Sequence, residues 1–163
     1  MLATRLVKTA MVGSCAVFAL LVAFNNLVDY GSNYAFVRHT LGMDTTFPGN
    51  ALKARAITSP VVASIAYWMI IVAEALTGLL LALGALRLAL AVRASAADFN
   101  AAKTAVVLGV GLGFLLWFTG FMVIGGEWFG MWQSQQWNGV PSAFRFAMTI
   151  IAVLIFVALP EQD

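Results

Sequence analysis

The sequence predicts an all-α integral membrane protein, a bundle of four transmembrane helices with a structured cap outside the membrane. Three observations lead there. The 163 residues are 62% apolar and only 10% charged, with a mean hydropathy of +0.93, whereas a soluble domain is about 45–50% apolar and about 25% charged. Four apolar runs are long enough to cross a bilayer. Between them lie two loops unusually rich in aromatic and amide side chains.

The first run, Thr9 to Val28, holds no charge and makes about 30 Å of helix at ~1.5 Å per residue. Arg5 and Lys8 precede it, and Val12-Gly13-Ser14-Cys15 imitates a lipoprotein cleavage box. The apolar stretch lies mostly after Cys15, so a retained helix is expected rather than a cleaved signal. The second, Val61 to Leu86, is interrupted only by Glu74, and Ser59-Pro60 is a cap residue followed by proline at the first helical position. The third, Thr104 to Gly126, is uncharged. The fourth is shorter, Phe146 to Pro160, and reaches span length if it opens near Pro141 and includes Arg145; Pro160 and Glu161-Gln162-Asp163 close it. In lipid each run must satisfy its own backbone, so helices are expected near 6–28, 60–90, 102–126 and 141–160, in one domain.

Four crossings put both termini on one face and the two long loops, 29–60 and 126–141, on the other. Arg5, Lys8, Arg87, Arg93 and Lys103 flank the terminal face, against Arg38, Lys53, Arg55 and Arg145 opposite. That bias favours cytoplasmic termini. A formal charge of +2 offers no basic field for nucleic acid. One cysteine and one histidine exclude an intramolecular disulfide and a two-histidine site within one chain. No cofactor is expected.

Glu74 is the outstanding polar residue, since a bare carboxylate at mid-membrane is costly. Helical spacing puts Ala63, Tyr67, Gly78 and Ala85 on its face, a small-residue seam with Ser14, Thr119 and Thr149 as expected partners. Two readings stand beside each other: a proton or ion site, and a protonated acid hydrogen-bonded across the bundle. In the third span, LGVGLGFLLWFTG places Gly109, Gly113, Leu116 and Gly120 in one stripe. It fails as a nucleotide fingerprint, with Phe114 where glycine is needed, and reads as helix packing.

Asn25, Asn26, Asp29 and Tyr30 form a polar cluster at the end of the first helix. Glu127 and Arg145 are expected at the same level, where Arg145 either pairs with Glu127 or Asp29 or reaches water alone. In the first loop, Tyr34, Phe36 and Val37 suit a short interfacial helix facing lipid. His39 with Asp44 and Asp29 is read as structural, with no metal expected. The second loop, GGEWFGMWQSQQWNG, carries Trp128, Trp132 and Trp137 among Gln133, Gln135, Gln136 and Asn138. Interfacial anchoring needs fewer rings than this, so the loop is expected to form a cap packed on the first loop.

The stretches NNLVDYGSNYAFVRHTLGMDTTFP and GGEWFGMWQSQQWNGVPSAFRF resemble a bacterial family of predicted small integral membrane proteins, a domain of unknown function. The resemblance implies a four-helix inner-membrane protein and no particular activity. It adds emphasis to Asn26, Asp29, Tyr30, Asn33, His39, Asp44, Pro48, Glu127, Trp128, Trp132, Trp137, Asn138 and Arg145. The expected function is a non-enzymatic accessory protein whose cap engages a membrane-protein partner or another copy, with the lipid bilayer as its surroundings. The alternative is a small proton- or solute-conducting transporter or channel using Glu74. A wet path to Glu74 would favour the alternative, and a dry bundle the accessory role.

Overall fold

The computed structural model describes residues 2–162. It contains four helices long and apolar enough to cross a membrane. The first, α1 (Leu2–Val28), gives way at Asp29 to a second helix, α2 (Tyr30–Gly42). After a 3₁₀ turn at Ala51–Arg55 comes α3 (Pro60–Leu90). A short α4 (Ala96–Ala101) leads into α5 (Thr104–Phe114). That helix runs on as a wide, π-type helix at Leu115–Trp128, and a 3₁₀ turn at Met131–Gln133 precedes α6 (Val140–Ala158).

Local chemistry explains the boundaries. The Ser59 hydroxyl accepts from the Val62 N–H, and Pro60 follows at the first helical position, removing a donor that would otherwise be orphaned. Ser95 accepts from the Asp98 N–H in the same way. Asn138 accepts from Val140 N–H at 3.1 Å and opens α6, with Pro141 in its first turn.

Helix α3 is the centre of the bundle, packed most extensively against α1 and α5. Small residues permit the approach, because packing rather than hydrophobicity holds helices together in lipid. A Cβ on Gly78 would lie 2.7 Å from Leu20, one on Gly84 2.7 Å from Val106, and ones on Gly109 and Gly113 3.0 Å from Leu81 and Thr77. Gly120 departs from the expected stripe: its Cβ would meet nothing nearer than 3.9 Å, and only its own helix. The reason is the backbone. Beyond Phe114 the bonds run i→i+5, as in Phe129 N–H to Ile124 C=O, so each residue turns by less than the ~100° of an α-helix and the stripe drifts off the seam.

The terminal face is tied by a buried polar knot. Lys8 donates to Glu161 Oε1 at 2.6 Å and to the Leu159 carbonyl at 2.8 Å, and Lys103 donates to the same carbonyl at 2.8 Å. Arg5 reaches Glu161 at 3.5 Å and the Ala94 carbonyl at 2.7 Å. Two of the three buried cations reach the Glu161 carboxylate, and Lys103 is held by the Leu159 carbonyl and by Asn100, since the C-terminal carbonyls of a helix suit cations. Hydrogen bonding to Lys8 holds the Glu161 carboxyl below its ordinary range, with burial acting against it. Asp163, expected to help end the last helix, lies outside the described residues.

On the opposite face the two long loops form one cap. Gln133 accepts from Phe47 N–H and from the Asn50 amide, both at 3.1 Å, and Thr45 donates to Ser134 at 2.9 Å. His39 stacks on Trp137 with centroids 4.8 Å apart, and Phe47 meets Trp132 edge-on. Arg55 covers Trp128 at 4.3 Å and donates to its carbonyl. Gln133 and Ser134, between Trp132 and Trp137, are thus the cap's fasteners. Helix α2 forms its floor, and here the expected lipid-facing side is reversed. Val37 is buried against Tyr67 and Ile71, Phe36 stacks on Phe121, and Tyr34 donates to the Pro60 carbonyl.

Candidate functional site

Glu74 sits midway along α3, about 21 Å from Pro60 at ~1.5 Å per residue, and is 2% exposed. None of the expected hydroxyls reaches it. Ser14 donates to the Ala10 carbonyl and Thr149 to the Arg145 carbonyl, each spending its hydroxyl on its own helix. Thr119 makes no hydrogen bond to it among the described residues. The partner is Asn26, whose amide donates to Glu74 Oε2 at 2.6 Å.

Asn26 is held in turn. It lies in the last turn of α1, where carbonyls lack helical partners, and its own carbonyl accepts from the Tyr67 hydroxyl at 2.7 Å. Tyr67 and Glu74 are seven residues apart on α3 and so share a face. The end of α1 is therefore clamped between them: Tyr67 takes its backbone and Glu74 its side chain. Edge contact with Tyr30, at 4.8 Å, fixes the Tyr67 ring.

Only one carboxylate oxygen is used. Glu74 Oε1 has no hydrogen-bond partner, yet the buried polar atoms lacking partners are the Thr40 and Thr77 hydroxyls alone among the described residues. Oε1 faces open space: a cavity of about 310 Å³ that Glu74 lines. Asn33, Asn138, Gly139 and Ser142 line its cap end; Phe36, Trp117, Phe121 and Phe146 form its walls, with Asn26 and Tyr67 beside the acid. Its size falls at the low end for small-molecule pockets, ~300–1,000 Å³, and its lining has their usual character, mostly apolar with a few convergent polar groups. Below Glu74 the bundle is closed. Thr77 is 0%, Leu81 1% and Val110 1% exposed.

The remaining residues singled out from the sequence divide between the cap and the lipid boundary. His39 Nδ1 contacts the Asp44 carboxylate at 2.8 Å, and among the described residues no group of three histidine, cysteine or acid side chains stands close enough to hold a metal. Of the two readings of Arg145, the pairing is the one the structure does not form. Among the described residues Arg145 forms no ion pair with Glu127 or Asp29 and donates instead to Ser142 at 3.0 Å. Arg145, Glu127 and Asp29 are each exposed, so solvation costs less than holding two long side chains in one geometry. Asn138 and Asn26 both line the cavity, while Trp128 and Trp132 face outward at 54% and 48% exposure.

The cavity walls escaped the sequence reading. Trp117, Phe121 and Phe146 are apolar residues within apolar spans, and nothing local separates a cavity-lining ring from a lipid-facing one. Phe36 carried a signal, lying one turn from Asn33 on α2, but it was assigned to lipid.

Four membrane-length helices, a mostly apolar cavity closed below Glu74 and a capped face define a polytopic all-α integral membrane protein. Within that class the chain belongs to the family described as predicted small integral membrane protein (DUF2165), which matches residues 4–160. No curated protein and no solved structure matches it.

Proposed function

We propose that this protein is a non-enzymatic membrane protein that holds a small ligand in the cavity between its cap and Glu74. The observation that carries the reading is the cavity itself: it joins the cap level to a mid-bundle carboxylate and ends there. The converging groups favour binding over chemistry. They are one carboxylate, amides and hydroxyls, with no second acid, histidine or thiol in the lining. Nucleophilic catalysis pairs its nucleophile with a base within hydrogen-bond reach, and no hydrogen-bonded pair of that kind lines the cavity among the described residues. Conduction across the membrane would require the packed layer at Thr77, Leu81 and Val110 to open.

A second reading keeps the cap as an interaction surface for a membrane-protein partner or another copy of the chain. Phe47, Trp128 and Trp132, each about half exposed, support it, as aromatic residues are enriched at both protein interfaces and membrane boundaries. The two readings are compatible, because a partner on the cap would control access to the cavity. The flanking basic residues support an inner-membrane protein with cytoplasmic termini.

Cysteine accessibility tests the cavity. In a Cys15→Ser background, Ser142→Cys at the cap end should react with a small charged thiol reagent, and Thr77→Cys below Glu74 should not. An unreactive Ser142→Cys would remove the cavity as a binding site. Reaction at both positions would replace it with a through-path and restore the channel.

A further inference from the structure

We propose that the cavity selects a small organic ammonium ion, with Glu74 as counter-ion and the surrounding rings as walls; the proposal rests on the cavity being a binding site. Charge is the first argument. Among the described residues, Glu74 is the only acidic side chain lining the cavity, and no lysine or arginine lines it. Arg145 lines a neighbouring groove with Ser14, Cys15 and Thr149 and touches the cavity's cap end only through its hydrogen bond to Ser142, whereas Glu74 lines the cavity itself. An anion would meet an unbalanced carboxylate there, whereas a cation balances it.

Geometry is the second. Asn26 occupies Oε2 and orients the carboxylate, which leaves Oε1 as the acceptor aimed into the cavity. Phe36, Trp117, Phe121 and Phe146 offer ring surfaces around that volume, and ring faces attract ammonium groups within about 6 Å of their centroids. Trp117 and Phe146 hold each other edge-on at 5.7 Å, and Phe18 packs on both, so the walls are preset.

Coordination chemistry is the third. A hard metal cation requires about six or more oxygen ligands. The cavity offers one free carboxylate oxygen and a few amides and hydroxyls within aromatic walls, so a metal ion there would keep most of its shell as water against apolar surface. An alkylammonium needs fewer: one charge-assisted contact and apolar surroundings for its carbons. The cavity's volume of about 310 Å³ limits the ligand to a small one.

The test is thermal stabilisation of the purified full-length protein in detergent. Methylammonium and tetramethylammonium chloride are compared with sodium chloride at equal ionic strength and with tert-butanol as the uncharged analogue. An ammonium salt should stabilise saturably where sodium and tert-butanol do not. Glu74→Gln keeps the shape and should weaken that binding by about tenfold or more. Phe121→Leu, which leaves the acid in place, should weaken it about threefold. Equal binding in Glu74→Gln, or equal stabilisation by tert-butanol or sodium, would overturn the ammonium assignment while leaving a binding cavity. Absence of any ammonium effect with Ser142→Cys reactive would sink the ligand class alone; with Ser142→Cys unreactive, the cavity reading falls too.

Discussion

The clamp on Asn26 can be broken one atom at a time. Tyr67→Phe deletes the hydroxyl that donates to the Asn26 carbonyl at 2.7 Å, in a residue 1% exposed. Two scales bound the loss. Leaving a buried acceptor unsatisfied costs about 1–3 kcal/mol, whereas interhelical side-chain bonds in membrane proteins average ~0.6 and reach ~1.7 kcal/mol. Asn26 is half-buried beside the cavity, so solvent at the cap level recovers part of the bond. The expected loss is therefore about 1 kcal/mol. Its consequence is more diagnostic than its size. With the α1 terminus released, the Asn26 amide no longer holds its 2.6 Å contact with Glu74. Asn26→Ala should then be milder in the Tyr67→Phe background than in the wild type, by about 0.5 kcal/mol or more, as expected for residues in one network. Reversible unfolding in mixed micelles, followed by tryptophan fluorescence, measures all four corners of the cycle. Additivity within about 0.3 kcal/mol would refute the argument that Tyr67 positions Asn26 for the acid.

Three further predictions concern the frame of the bundle. A Cβ at Gly78 would lie 2.7 Å from Leu20 Cγ and 3.0 Å from its backbone nitrogen; Gly78→Ala should therefore destabilise by about 1–2 kcal/mol, since overpacking of about 1–3 exceeds the ~0.5–1 gained in helix propensity. Gly120→Ala, with no neighbour inside 3.9 Å, should be neutral or slightly stabilising in the same micelle assay, and a loss comparable to that at Gly78 would contradict the π-type geometry. At the terminal face, the Glu161 carboxyl is held below its ordinary range chiefly by its hydrogen bond to Lys8. A depressed folded-state value means that its stabilisation is present above the unfolded carboxylate range and lost as pH falls through the folded value. Thermal midpoints between about pH 6 and about pH 3 should fall less steeply for Glu161→Gln than for wild type, and parallel curves would show that the knot does not titrate.

Features set by local interactions are legible in the sequence, and those set by contacts distant in the chain are not. The spans were legible because length and apolarity are local properties, and lipid leaves helix as the means of satisfying each backbone. Pro60 began α3 as its cap residue required, and Gly109 and Gly113 lay on the seam because α-helical spacing holds through Phe114. A two-loop cap was legible from an even number of crossings and an excess of aromatic side chains. The sequence also singled out Glu74, since an acid within an apolar span stands out without any partner being known.

What Glu74 touches was another matter. Ser14, Thr119 and Thr149 were plausible by depth, but depth says nothing of the azimuth at which each helix faces its neighbours. Asn26 reaches the acid because α1 ends there and Tyr67 ties down its final carbonyl. Lys8 and Glu161 stand far apart in the chain, as do His39 and Trp137, and each pair meets only once the helices pack. Composition and periodicity, then, determined that this chain crosses the membrane four times and caps one face. Tertiary structure decided that α2 turns its rings inward, that the third crossing rotates Gly120 off the seam, and that Glu74 keeps one oxygen for a cavity. The physical reason is that apolarity selects the solvent each segment meets, while the orientation of one helix against another depends on close contacts among residues distant in sequence.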